Sequence, residues 1–94
     1  MARGSPRLRT PEGQANQIAA RVRQKRAELH LTQDAVCARV ALVTDGAWNP
    51  DRMEIYRIER GIRIVSDLEM IALATALECP AVWLFLGDVP ASKP

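Results

Sequence analysis

The stretch from Pro50 to Gly61, PDRMEIYRIERG, constrains the fold more than any other part of the chain. Asn49 offers a side-chain oxygen to the first free backbone N–H groups, Pro50 suits a first helical turn, and Gly61 suits the left-handed conformation that ends a helix. These signals predict a helix over 50–60. Ile55 and Ile58 share one face of it, while Arg52, Met53, Tyr56, Arg57 and Arg60 project elsewhere. A helix that only filled a core would have little use for that outer face.

Two charges break the apolar pattern. Ile18, Val22 and Leu29, joined by Ala15 and Ala19, form the stripe of a first helix that is expected to begin between Pro11 and Ala15 and to run to about Leu29. Arg21, Arg23 and Lys25 fall on its solvated side. Arg26 lies four residues after Val22 and three before Leu29, on the face that should be apolar. Glu59, four residues after Ile55, does the same in the helix over 50–60. An isolated buried charge is prohibitively costly, so Arg26 and Glu59 are expected to form an ion pair tying the two helices together.

The remaining elements follow from local signals. Thr32 is a hydroxyl N-cap for a second helix that begins Gln33-Asp34, buries Ala35, Val36 and Val40, and ends near Leu42 or Val43. His30, the single histidine, closes the first helix. Residues 41–49 form an extended connection containing the turn Thr44-Asp45-Gly46, with Trp48 read as a core plug and alternatively as a base-stacking platform. Ser66-Asp67-Leu68-Glu69 is a capping-box start for a fourth helix, whose inner face is expected to carry Leu68, Ile71, Ala72 and Leu77. Pro80 opens a short last helix closed by Gly87. Its Val82, Trp83, Leu84, Phe85 and Leu86 exceed what so short a helix buries, so Val82, Trp83 and Phe85 are read as a self-association surface, with a filled core edge as the alternative.

Residues 1–10, with Arg3, Arg7 and Arg9, read as a flexible basic arm, either without a role or settling on a polyanion. Residues 11–88 form the folded domain and 89–94 a polar tail. Charge is unevenly shared: residues 1–63 hold twelve of the 13 Lys and Arg against seven of the 11 Asp and Glu, whereas residues 64–94 are acidic on balance. Arginine dominates the basic part and suits bidentate recognition of phosphate or guanine. Cys37 and Cys79 have neither metal-ligand spacing nor a histidine cluster, so they read as small hydrophobes in a reducing compartment. No metal, cofactor or membrane span is expected. The single histidine, with no phosphate-cradling glycine loop and no nucleophile beside a base, argues against an enzyme.

The pieces Ile18-x-x-x-Val22-Arg23-x-x-Arg26, Leu31-Thr32-Gln33-x-x-Val36, Ile55-Tyr56-Arg57-Ile58-Glu59-Arg60-Gly61 and Ser66-x-x-Glu69-x-Ile71-x-x-Leu73-Ala74-x-Ala76-Leu77 resemble, in order and spacing, the XRE-type helix-turn-helix family of lambda-repressor-like DNA-binding domains. The resemblance spans Ile18 to Gly87 and implies an all-α, compact five-helix domain, here with an elongated connection between helices 2 and 3. It implies base-edge contacts from Arg52, Met53 and Arg57 and backbone contacts from Gln33, Arg60 and Arg63. Similar proteins also pair an Arg late in helix 1 with a Glu late in helix 3. Asp51 and Glu54 set acids near the groove, where they would repel phosphate or read a cytosine amino group.

The implied function is that of a sequence-specific transcriptional regulator, a repressor binding operator DNA as a homodimer in the cytoplasm, associated with the nucleoid. The alternative is an antitoxin or phage-type adaptor that works mainly through protein contacts, with a toxin or another protein as partner.

Overall fold

The computed structural model describes residues 8–88, which form five α-helices and no strand: α1 Ala19–Glu28, α2 Gln33–Val43, α3 Arg52–Glu59, α4 Asp67–Ala76 and α5 Ala81–Leu86. Most of the basic arm, residues 1–7, and the tail 89–94 lie outside the described residues. One core joins the helices through Ile18 and Val22, Val36 and Val40, Ile55 and Ile58, Leu73 and Leu77, and Leu84, all buried. Within it α2 packs against α3 and α4, α1 against α3, and α4 against α5.

The first helix starts later than its apolar stripe suggests. Residues 11–17 form a looped lead-in whose polar groups are satisfied outside any helix: Ala15 N donates to Gly61 O at 2.7 Å, and Gln14 N donates to Thr10 Oγ1 at 3.0 Å. The buried Asn16 side chain accepts from Ile18 N and donates to Ile58 O and Arg63 O at 3.2 and 2.9 Å. These bonds stitch the lead-in to the end of α3, so helical bonding begins only afterwards.

The cap of α3 is also different. Asp51, not Asn49, accepts from Glu54 N at 2.8 Å, and Glu54 Oε1 accepts from Asp51 N at 3.2 Å, a complete capping box. A carboxylate is the better partner for the positive end of the helix dipole. The helix therefore runs Arg52–Glu59 rather than over 50–60, and Pro50 is buried ahead of it. Both acids expected near the groove are held in this cap. Thr32 and the Ser66/Glu69 box cap α2 and α4 through bonds of 3.0 and 3.1 Å to Ala35 N and Glu69 N. On α4, Ala72 and Leu77 are buried as expected, whereas Leu68 and Ile71 turn outward, 75% and 51% exposed, and Leu73 and Ala76 fill the inner face instead. The run from Leu68 to Leu77 is apolar on nearly every side, so periodicity alone does not select the buried face.

Four of these helices end alike. Leu31 N donates to Arg26 O and His30 N to Ala27 O, with the same paired bonds at Gly46 and Asp45 after α2, at Ile62 and Gly61 after α3 and at Cys79 and Glu78 after α4. Each is a Schellman closure needing a left-handed residue, supplied by Gly61 (φ 73°) but also by His30 (φ 57°), Asp45 (φ 53°) and Glu78 (φ 58°).

Arg26 and Glu59 meet across the α1–α3 interface. Arg26 Nε donates to Glu59 Oε2 at 2.6 Å and Nη2 to Oε1 at 3.0 Å, a fork on a carboxylate that is only 2% exposed. Gln33 Nε2 donates to the same Oε1 at 3.1 Å, and Arg26 Nη1 reaches Leu31 O at 3.1 Å. The carboxylate thus joins α1, α2 and α3 at one point.

Arg26→Ala strands the buried carboxylate and should destabilise the fold by about 3–5 kcal/mol. Thermal unfolding followed by circular dichroism should then show the midpoint lowered by about 12 °C or more. His30→Gly relieves an exposed left-handed residue and should instead raise the midpoint by a few degrees, a gain of up to about 1 kcal/mol. An unchanged or lowered midpoint would contradict that reading.

Candidate nucleic-acid interface

Burial of Ile55, Ile58 and Glu59 fixes the rotation of α3 about its axis. With 100° between successive residues, Arg52, Met53, Tyr56, Arg57 and Arg60 must then face outward, and all five are exposed. Among the described residues, neither the Arg52 nor the Arg57 guanidinium has a hydrogen-bond or ion-pair partner within the protein. Arg60 lies 5.7 Å from the Tyr56 ring centroid and donates to the Tyr56 hydroxyl at 3.1 Å, making a flat polar shelf beside them. Tyr56 is an element of this surface that the sequence reading left unassigned, although its outward position was legible.

The N-terminus of α2 borders the same surface. Thr32, Gln33 and Asp34 line an open groove with Arg26, Arg52 and Tyr56. Gln33 is half-buried and gives one amide hydrogen to Glu59, leaving its second amide hydrogen and its oxygen at the groove. Arg23, read as solvated, donates to the backbone carbonyl of Glu59 and so caps the C-terminal end of α3.

Residues 44–51 connect α2 to α3, starting later than the 41–49 span suggested by the turn signal. Thr44 organises the connection: its hydroxyl donates to Val40 O at 2.8 Å and accepts from Trp48 N at 3.1 Å. Trp48 packs against the core, and the Arg63 guanidinium lies 5.6 Å from its ring centroid. Both Nη atoms of Arg63 are engaged. Nη1 donates to Ile64 O and Glu69 Oε1 at 2.9 and 2.8 Å, and Nη2 to Glu69 Oε2 and Glu54 Oε2 at 3.0 and 3.4 Å. The Arg63 guanidinium holds the Glu69 carboxyl below its ordinary value, and that carboxylate in turn raises Arg63.

On α5, Val82, Phe85 and Leu86 are exposed. Trp83 is half-buried with the Lys25 ammonium 5.2 Å from its ring centroid, and Leu84 is fully buried. Arg21, also read as solvated, donates to Leu84 O and Phe85 O at 2.8 Å each, holding the end of α5 against α1. Cys37 and Cys79 are free and half-buried, and burial raises both thiols, with Asp34 and Asp51 adding to the effect at Cys37. Among the described residues no cluster of His, Cys, Asp and Glu is arranged to hold a metal ion, and no helix is long and apolar enough to cross a membrane.

No protein-family model and no curated protein matches the chain. Among solved structures it is similar to the P22 c2 repressor protein in complex with a synthetic operator, at 25% identity and a TM-score of 0.63, over 76% of this chain and 96% of that one. The order of the five helices therefore matches a known architecture: the chain has a lambda-repressor-like helix-turn-helix fold.

Proposed function

We propose that this protein is a transcriptional repressor that binds operator DNA as a homodimer, with α3 in the major groove. The observation that carries the reading is the outward face of α3, where Arg52 and Arg57 have no partner among the described residues while most neighbouring arginines are engaged. Similarity to a repressor bound to an operator supports the same reading. Arg52 and Arg57 contact guanine O6 and N7, and Met53, about half exposed, meets a thymine methyl. Gln33 and Arg60 grip the backbone on either side. The exposed face of α5, with Val82 and Phe85 and the edge of Trp83, joins two copies on half-sites about one helical turn apart.

The same α5 face favours a second reading, an adaptor or antitoxin that engages a protein partner. Partner binding that survives Arg52→Ala and Arg57→Ala would select it over the first.

Selection of bound sequences from a random duplex pool should return a two-fold symmetric site. On that site, log affinity against log salt should fall with a slope near −0.9 per phosphate neutralised. Arg52→Ala and Arg57→Ala should each relax discrimination at one base position by about 1–3 kcal/mol, whereas Arg60→Ala should weaken all sequences evenly and reduce the slope by about one. No shift on any duplex, or a shift indifferent to salt, would refute DNA binding.

A further inference from the structure

Resting on the DNA-binding reading above, we infer that Arg63 is a positioning residue that sets the orientation of α3 from behind, in place of the phosphate contact that the resemblance implies for it. A guanidinium has five N–H donors, four of them on the two Nη atoms. In Arg63 those four are matched to Ile64 O, both oxygens of Glu69 and Glu54 Oε2, which leaves the Nε–H alone. A side chain so engaged, and only 24% exposed, has no fork left to offer a phosphate.

The partners explain what the arrangement does. Glu54 belongs to the capping box of α3 and Glu69 to that of α4, so one guanidinium links the N-termini of two helices. Its face covers Trp48, in the middle of the connection between α2 and α3, and its backbone carbonyl accepts from Asn16 in the lead-in to α1. A short turn between α2 and α3 would set their angle through the chain itself. Residues 44–51 are too long for that, and Arg63 supplies the restraint by holding the connection, the first turn of α3 and the start of α4 together. Arg52 and Met53 lie in that first turn, beside Glu54. A tilt of the turn moves both away from their bases while the outward charge of α3 stays the same. Lysine keeps the charge of Arg63 but has neither the fork for Glu69 nor the flat face for Trp48.

The test uses the full chain with Arg63→Lys and Glu69→Gln, and Arg60→Ala for comparison, at a temperature where circular dichroism shows each folded. Affinity is measured on the selected duplex and on an unrelated one across a salt series. Arg63→Lys and Glu69→Gln should each lower the ratio of specific to non-specific affinity by about tenfold, the size of one lost base contact, with the salt slope unchanged. Arg60→Ala should lower the slope and leave the ratio alone. Glu69→Gln serves alone if Arg63→Lys does not fold, because it removes the anchor without touching a cation. Full discrimination in Arg63→Lys, or a steeper salt slope in Glu69→Gln as the released guanidinium finds a phosphate, would overturn the proposal while leaving DNA binding intact. A wild-type chain that distinguishes no duplex from any other would instead remove the reading on which the proposal rests.

Discussion

A carboxylate taken out of water at Glu59 is the constraint around which the domain is arranged. Its desolvation is tolerable only because Arg26 meets both oxygens and Gln33 adds a third hydrogen bond. These partners come from α1 and α2, so satisfying one buried charge fixes three helices relative to one another. It also fixes the rotation of α3, because Ile55, Ile58 and Glu59 cannot face inward without turning Arg52, Tyr56 and Arg57 outward. The surface available to a partner is in this sense the reverse side of a core requirement.

The arginines divide by this logic. Arg26 and Arg63 are structural anchors at opposite ends of α3, Arg21 ties down α5, and Arg39 reaches Ala76 O and Glu78 at 3.1 and 2.8 Å. Arg52 and Arg57 keep their donors unengaged among the described residues. Net charge is therefore a poor guide to the strength of the basic surface, since several cations are neutralised within the fold while Arg52, Arg57 and Arg60 share the outer face of α3. Placing them on a helix rather than a loop gives their Cα positions a rigidity that a long connection such as 44–51 would not provide by itself.

Local signals made much of this legible. Thr32 and Ser66 mark helix starts because their short hydroxyl side chains satisfy backbone donors without tertiary help, and Gly61 and Gly87 mark ends because they adopt positive φ readily. Arg26 and Glu59 stood out as charges on apolar stripes, and the structure brings them within 2.6 Å. Asp51 with Glu54 was an equally readable capping box, obscured by Asn49 and Pro50 just before it. Leu68 and Ile71 were misplaced because α4 is apolar on most faces, and the start of α1 was misplaced because Asn16 and Ala15 satisfy their polar groups on residues more than forty positions away.

The sequence by itself determined the number of helices, most of their ends and the outward character of α3, because capping, glycine conformation and helical periodicity act over a few residues. Tertiary structure alone decided that Arg21, Arg39 and Arg63 are anchors, which side of α4 is buried, and how a long connection is held in place. Those outcomes depend on which groups meet across the fold: Arg63 finds Trp48, Glu54 and Glu69 only when α3 and α4 have packed, and nothing in its local sequence distinguishes it from Arg60.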